Sequence, residues 1–193
     1  GLPHEGVDPI VAGAQIVSAL QTIVSRNLSP FDSGVVSVTT FQGGSAFNII
    51  SQHVELKGTI RTFSPEARER ILGRLKNIVT GIATSMECEV IIEIDNVTPP
   101  VVNDADVCLS VKSTVEKILP QDSLREDFVS TVAEDMAYIM ADIPSCYFFV
   151  GSKNEDAGLI YGHHHPRFDF DEQAMPRAAA LIVGAAVDLL SAD

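Results

Sequence analysis

The sequence of 193 residues has no tryptophan and is poor in basic side chains, with 13 Lys and Arg against 26 Asp and Glu. The resulting net charge of -13 argues against nucleic acid and anionic membranes as partners. No apolar run approaches the roughly 18 residues that a membrane helix needs. The N-terminus shows no signal-peptide pattern. We therefore expect a cytoplasmic protein that binds neither membranes nor nucleic acid.

Cysteine is also scarce, and Cys88, Cys108 and Cys146 are widely separated with no CxxC pair. An odd number of unpaired cysteines is typical of buried free thiols in a reducing compartment. A nucleophilic cysteine needs a neighbour that favours its thiolate, and no cysteine here has an obvious one in sequence. We therefore expect three buried, structural thiols.

The first ninety-odd residues are predicted to fold in the order α-β-β-α-β. The first helix should run from Pro9 to Arg26, because Asp8 is a good N-cap and Pro favours the first helical position. Alternating apolar residues predict strands over 33–42 and 53–63, and a helix capped by Ser64 should run to about Met86. A last strand is predicted over 87–95, centred on Val90-Ile91-Ile92. This order is a ferredoxin-like sandwich without its first strand, as if the chain had been cut there.

The residues after Val97 are predicted to form a second domain. The segment Val97-Thr98-Pro99-Pro100 reads as a linker, so we divide the chain into domains 1–97 and 98–193. Helices are expected at 104–119, 133–141 and 172–190, with a strand at 145–151. The fold class is therefore α/β in the broad sense, with α+β character in the first domain.

Three consecutive histidines, His163, His164 and His165, are the most informative local feature. They lie in a turn between Gly162 and Pro166, just before the last helix. Imidazole is the commonest side-chain ligand of zinc and similar metals, but catalytic zinc takes about three protein ligands, so one segment does not make a site. An exposed polar turn remains open as the alternative. A purification tag is disfavoured because tags lie at chain ends.

Five segments together resemble the M20 metallopeptidase family. They are PHEGVDPIVAG at 3–13, GGSAFNIIS at 43–51, GTIRTFSPEARE at 58–69, AEDMAYIM at 133–140 and GHHHPRFDFDEQAMPRAAA at 162–180. The most similar branch comprises amidohydrolases that cleave N-acyl amino acids, hippurate and indole-acetyl amino acid conjugates. Members of the family have an α/β catalytic domain with a two-metal centre and an inserted ferredoxin-like lid, which usually forms the dimer interface.

The resemblance implies that residues 1–97 are the lid and dimerisation domain. Residues 98–193 would then be the C-terminal part of the α/β metallohydrolase catalytic domain. In the family, most metal ligands and the glutamate that activates water precede the lid, and that region has no counterpart here. The chain is therefore expected to contain no catalytic base and to be inactive alone. The implied cofactor is a divalent metal, two ions per complete site, with zinc or manganese expected and cobalt or nickel also compatible.

The resemblance also assigns three site residues. His164, two residues before Pro166, falls where the family has its final metal ligand. Asn48 and Arg61 would contact the substrate carboxylate and the developing oxyanion, and a guanidinium suits a two-point grip on a carboxylate. From sequence alone, Arg61 reads equally as a solvated strand residue and Asn48 as an ordinary turn residue. Ser51 replaces a proline that is frequent in the family.

The remaining polar candidates have simpler explanations. His163 and His165 are expected to form hydrogen bonds or to face solvent rather than bind metal, and His4 should be a surface residue. The acids at 134–135 and at 169–172 suit helix starts. The family places the first pair near the active site, and a hydrogen bond from Asp169 or Asp171 could orient the histidines.

Taken together, these features predict a dimeric, metal-dependent amidohydrolase acting on small N-acyl amino acids. The alternative is a non-catalytic dimerisation module in which the histidines form an incidental surface turn. A third possibility is that a separate chain supplies the missing half of the enzyme.

Overall fold

The computed structural model describes residues 1–120 and 123–191 and divides the chain into two compact units, Gly1–Pro100 and Val101–Asp193. The roles predicted for the two units, lid and catalytic part, stay predictions. No helix among the described residues is both long and apolar enough to cross a membrane. The architecture is a mixture of helices and a small two-stranded sheet.

The helices of the first unit begin where the sequence predicts. Helix α1 spans Pro9–Thr22, and a carboxylate oxygen of Asp8 accepts hydrogen bonds from the amides of residues 10 and 11. The predicted continuation to Arg26 forms a separate turn with π-helical hydrogen bonding, Ile23–Asn27. Helix α2 spans Pro65–Ser85, and the Ser64 hydroxyl accepts from the amide of residue 67. Both starts follow from side-chain capping of the free amides of the first turn.

The sheet of the first unit is an antiparallel hairpin. Strand β1, Gly34–Gly43, pairs with strand β2, Val54–Thr62, and a bulge interrupts the register between Val38 and Thr40. Helices α1 and α2 pack against the hairpin, and the core consists of buried residues from both helices and the π turn: Ile16, Leu20, Ile23, Ile71 and Val79. This packing holds the loop between the two strands at the end of the hairpin near the start of α1.

The prediction of a third strand at Glu87–Asp95 is wrong. Within residues 1–120, only β1 and β2 form the sheet. Helix α2 ends at Ser85, and Glu87 two residues later lies in the left-handed region, at φ 58°. Beyond it Ile92 packs on the core, while Ile91 is exposed. Alternating hydrophobicity predicts which side chains are buried, but it does not guarantee a hydrogen-bonded partner strand. The complete ferredoxin-like sandwich is therefore not present in the structure.

The second unit is built on two helices. Helix α3 spans Ala105–Ile118, capped by the Asp104 carboxylate, and helix α5 spans Ala174–Leu190. Between them lies the short helix α4, Met136–Met140, which is shorter than the predicted 133–141. One core cluster of this unit joins buried residues of α3 and α5: Val111, Val115, Leu181 and Ala185.

The prediction of a strand at 145–151 is also wrong. Among the described residues, this segment pairs with no other strand. Its alternate residues Cys146, Phe148 and Val150 do pack on the core of α3 and α5. Its backbone is satisfied differently: the Asn103 side chain accepts from the Tyr147 amide at 2.8 Å and donates to the Tyr147 carbonyl at 3.0 Å. A side-chain amide here replaces the neighbouring strand that the pattern implied.

Candidate functional site

The three histidines occupy two consecutive tight turns that share His165. The amide of His165 donates to the carbonyl of Gly162 at 3.2 Å, and the amide of Phe168 donates to the carbonyl of His165 at 2.9 Å. His164 takes the third position of the first turn with φ 66°, the conformation that a type II turn requires there. A non-glycine residue in this region costs on the order of 1 kcal/mol. The backbone thus holds the His164 side chain in a strained, exposed position.

The side chains of the three histidines have different surroundings. The His165 ring stacks on Tyr161 with centroids 4.2 Å apart, and its Nδ1 accepts from the Arg167 amide at 3.1 Å. The His163 ring meets the edge of Phe168 at 4.8 Å. Within residues 1–120 and 123–191, the His164 imidazole forms no hydrogen bond, ion pair or ring contact. Among the described residues, the ring nitrogens of His163 and His164 both lack a hydrogen-bond partner, and His164 alone of the three also has no ring contact.

Asp171 ties the histidine turns to the preceding loop. Its Oδ2 accepts from Asn154 at 2.8 Å, and its amide donates to the carbonyl of Ser152 at 2.9 Å. The hydrogen bond from the Gln173 amide, and next that from Asn154, lower the pKa of Asp171 below its ordinary value. The suggestion that Asp169 or Asp171 bonds to a histidine is wrong for the described residues, since their carboxylates bond to backbone amides and Asn154. Asp171 fixes the loop rather than a ring.

Asn48 lies in the loop between β1 and β2. It is exposed and occupies the third position of a turn closed by the Ile49 amide and the Ala46 carbonyl at 3.4 Å. The base of this loop is held by Ser51, whose hydroxyl accepts from the Gly44 amide at 3.0 Å and donates to the His53 carbonyl at 2.6 Å. The residue that replaces the family's frequent proline therefore closes the loop by hydrogen bonds.

Arg61 lies at the other end of the same hairpin. It pairs with Val35, whereas the loop leaves the ladder at Gly43 and Val54. A strand rises about 3.3 Å per residue, so Arg61 lies roughly 20 Å from the loop that carries Asn48. Arg61 is half-buried, and within the described residues its guanidinium forms no hydrogen bond or ion pair. The structure thus leaves both side chains available and does not bring them together in one copy of the chain.

Tyr147 and Glu134 form a contact that the sequence did not reveal. The Tyr147 hydroxyl donates to Oε2 of Glu134 at 2.8 Å, and Oε1 accepts from the Met136 amide at 3.3 Å. The hydrogen bond from Tyr147, followed by the interaction with Asp135, lowers the pKa of Glu134, and the same hydrogen bond raises the pKa of Tyr147. Glu134 therefore stays ionised and caps the start of α4.

The sequence of the chain also matches a known protein family. The sequence model of peptidase family M20/M25/M40 matches residues 5–188. The chain belongs to this family. The resemblance drawn from the five sequence segments is therefore confirmed.

Individual M20 relatives carry names of amide-cleaving enzymes. An N-acetyl-L-cysteine deacetylase of Bacillus subtilis is 33% identical over 100% of this chain and 44% of its own length. An IAA-amino acid hydrolase of Arabidopsis thaliana, ILR1-like 5, is 32% identical over 98% of this chain and 44% of its own length. The chain thus spans less than half the length of either relative.

A solved M20 structure shares the fold. A dinuclear metal binding peptidase from the M20 family of Bacillus subtilis superposes with a TM-score of 0.77 at 28% identity, covering 97% of this chain and 48% of that chain. Membership of a family with such a member supports the use of divalent metal. Which metal this chain uses stays a prediction.

The residues that the structure describes do not by themselves fit a metal centre. In the part of the chain that the structure describes, no three His, Cys, Asp or Glu side chains are grouped so that they could hold a metal ion. His164 is exposed and supplies a single imidazole. A catalytic zinc takes about three protein ligands, so any M20-type centre that uses His164 needs ligands from outside these residues.

Proposed function

We propose that this chain is the C-terminal part of an M20 amidohydrolase that cleaves the amide bond of N-acyl amino acids or similar conjugates. The M20 match over residues 5–188 carries this proposal. The named activities of the relatives, deacetylation of N-acetyl-L-cysteine and hydrolysis of IAA-amino acids, support the substrate class. In both cases an acyl group is joined to an amino acid through an amide.

In this proposal His164 supplies one imidazole to a metal centre. Its support is local: the ring is exposed, has no partner among the described residues and is held by a strained turn. Strained backbone that persists in a structure points to a function for the residue held there. Asn154 and Asp171 are positioning residues, because they anchor the loop on which the turn is built.

Arg61 binds the substrate carboxylate in this proposal, and Asn48 donates its amide to the developing oxyanion. A planar guanidinium offers two parallel donors to a carboxylate. In an N-acyl amino acid, the carboxylate and the scissile carbonyl are only a few bonds apart, whereas one hairpin separates Arg61 from the Asn48 loop by roughly 20 Å. The two residues act on one substrate only if two copies of the chain contribute them. We therefore propose a homodimer formed through the first unit.

The chain alone is proposed to be inactive, because it offers one candidate metal ligand and no assigned general base. The test compares this chain with a polypeptide of the relatives' full length that contains it. Each is supplied with zinc or manganese and assayed on N-acetyl and N-benzoyl amino acids. Turnover by the longer polypeptide and none by the chain is expected. Turnover by the purified chain that disappears in His164→Ala would refute the proposal of inactivity.

The role of His164 is tested in the longer polypeptide by metal content. His164→Ala is expected to lower bound metal per protein and to abolish turnover. The matched control is His53→Ala, which removes an exposed imidazole from the other unit. Equal metal content in both variants and the wild type would exclude His164 as a ligand. A dimer without hydrolysis in any form would favour the alternative, a non-catalytic dimerisation module.

A further inference from the structure

Cys108 and Cys146 form a close thiol pair in the second unit. Their Sγ atoms lie 3.2 Å apart and share a hydrogen bond, although 38 positions separate them in sequence. Cys108 lies on α3, and Cys146 packs on the core from the extended segment that follows α4. Both thiols are half-buried rather than fully buried, which corrects the expectation of buried structural cysteines.

The backbone on both sides of Cys146 is hydrogen-bonded to residues at the start of α3. The carbonyl of Ser145 accepts from the Asp104 amide at 2.9 Å, one helical turn before Cys108. The amide and carbonyl of Tyr147 both bond to the Asn103 side chain, at 2.8 Å and 3.0 Å. Three hydrogen bonds thus hold the two segments side by side. The sulfur atoms can meet with a shift of about 1 Å, because a disulfide needs a separation of about 2.0 Å.

We infer that Cys108 and Cys146 are an oxidative modification site that closes to an intramolecular disulfide when the chain meets a peroxide. The two thiols need no third group for this reaction. Cys88 lies in the first unit and has no sulfur neighbour among the described residues, so it takes no part.

The chemistry proceeds in two displacements. The Cys108 sulfur attacks one oxygen of hydrogen peroxide, an S–O bond forms, the O–O bond breaks, and one water leaves after proton transfer. The Cys146 sulfur then attacks the Cys108 sulfenic acid, the S–S bond forms, the S–O bond breaks, and a second water leaves. The two thiols lose two electrons and two protons in total, and the peroxide is reduced to two waters.

The order of attack follows from the surroundings of the thiols. Burial, and next the hydrogen bond with Cys108, raise the pKa of Cys146 to about 12. The raised pKa disfavours the Cys146 thiolate, so Cys108 attacks the peroxide first. Cys146 then attacks a sulfenic acid held 3.2 Å away, a closeness that offsets its weaker nucleophilicity, and its proton leaves with the sulfenic hydroxyl as water.

The disulfide would fasten α3 to the segment that carries Tyr147. Closing a loop of this length restricts the unfolded chain. We therefore expect the oxidised form to unfold at a Tm higher by on the order of 10 °C. The hydrogen bond between Tyr147 and Glu134 lies one residue from the new bond, so the start of α4 should become more protected against amide exchange.

The test treats the chain with hydrogen peroxide and measures intact mass, free thiols and a peptide map without reduction. In the wild type and in the matched control Cys88→Ser, the intact mass should fall by two hydrogens and two free thiols should disappear. A dithiol reductant should reverse both changes. The wild-type thiol count should fall from three to one. In Cys108→Ser and in Cys146→Ser, peroxide should not lower the intact mass by two hydrogens or remove two thiols together. Neither variant should show a rise in Tm.

The peptide map of the wild type decides the matter without any variant. A linked peptide pair that contains residues 108 and 146 from one chain supports the inference. Retention of all three thiols, a link that includes Cys88, or a link found only between two chains would overturn it. Migration on a non-reducing gel separates the last outcome from the intramolecular bond.

Discussion

The hydroxyl of Thr114 on α3 donates a hydrogen bond of 2.6 Å to Oδ2 of Asp188 on α5. Lys117 donates to the same oxygen at 2.9 Å. Thr114 is only 1% exposed, and Asp188 lies at the edge of the core shared by the two helices. The main polar connection between α3 and α5 therefore depends on an ionised carboxylate.

This connection predicts a pH dependence of stability. The hydrogen bonds from Thr114 and then Lys117 lower the pKa of Asp188 below its ordinary value. A carboxyl whose pKa is lowered by folding stabilises the folded state above its unfolded-state pKa, and this contribution is lost as the pH falls through the folded-state pKa. The Tm difference between wild type and Asp188→Asn should therefore be largest near neutral pH and shrink as the pH falls below the ordinary pKa of an aspartate, about 3.9.

The control for this prediction is Asp142→Asn. Asp142 is exposed and its carboxylate has no hydrogen bond or ion pair within residues 123–191. The Tm of Asp142→Asn, measured by circular dichroism, should follow the Tm of the wild type across the pH range. A Tm difference for Asp188→Asn that stays constant with pH would mean that the charge of Asp188 does not stabilise the helix pair.

A glycine in β2 predicts a steric effect on stability. A Cβ on Gly58 would lie 2.2 Å from the Ser37 carbonyl oxygen, next to the bulge in β1. Backbone atoms move less readily than a side-chain end, so Gly58→Ala should destabilise the first unit by about 1–3 kcal/mol. Chemical denaturation measures the free energy of unfolding. An unchanged midpoint would show that the bulge shifts to make room.

The matched variant is Gly81→Ala on α2. A Cβ there meets no atom within 4 Å, and alanine favours a helix over glycine by about 0.5–1 kcal/mol. The same substitution should therefore have opposite signs at the two positions. If Gly81→Ala also loses stability, the argument from backbone entropy at Gly81 is wrong. The steric argument at Gly58 would still stand.

Local features of this fold are predictable from sequence, and non-local pairings are not. The starts of α1, α2 and α3 depend on Asp8, Ser64 and Asp104, each of which caps amides two or three residues away. The expected strands at 87–95 and 145–151 failed because a strand needs a partner elsewhere in the chain. Apolar residues of both segments still pack on a core, Ile92 in the first and Cys146, Phe148 and Val150 in the second.

The same distinction applies to the candidate site. The turn around His164 follows from Gly162 and Pro166, which lie beside it in sequence. The hydrogen bond from Tyr147 to Glu134 joins side chains 13 positions apart and has no local signal. The Cys108 and Cys146 pair joins side chains 38 positions apart, and three cysteines without a CxxC spacing gave no reason to expect it.

Self-association is predicted to involve the loop between β1 and β2. Phe47 is fully exposed there, and Ile49 and Ile50 in the same loop are also exposed. Clustered apolar side chains on a surface favour association, so Phe47→Ser should weaken the proposed homodimer. Sedimentation velocity over a concentration series measures this. Phe31→Ser is the control, because Phe31 is equally exposed but lies outside the loop.

The wild type and Phe31→Ser should dimerise alike in this series, while Phe47→Ser shifts towards monomer. A wild-type chain that remains monomeric at high micromolar concentration would contradict dimerisation through the first unit. Equal loss of association in both phenylalanine variants would assign the effect to general hydrophobicity rather than to the loop.

Arg61 provides a test of substrate binding in the longer polypeptide that is proposed to be active. If its guanidinium holds the substrate carboxylate, Arg61→Lys should not be conservative, because lysine lacks the planar two-point grip. Loss of a charge-assisted hydrogen bond costs roughly 1.5–3 kcal/mol, which corresponds to about a ten- to hundred-fold drop in kcat/KM. Arg61 is half-buried with no ion pair among the described residues, so its replacement should leave the fold intact.

The decisive comparison uses two enzymes and two substrates. Wild type and Arg61→Lys are each assayed with an N-acyl amino acid and with the analogue whose carboxylate is replaced by a neutral amide. The variant should lose kcat/KM on the acid and lose far less on the amide, because the amide offers no charge to the guanidinium. Lys57→Arg on the same strand is the control, since Lys57 pairs with Glu55 at 3.1 Å on the surface. An equal loss of kcat/KM on both substrates would show that Arg61 has a structural role and does not bind the substrate carboxylate.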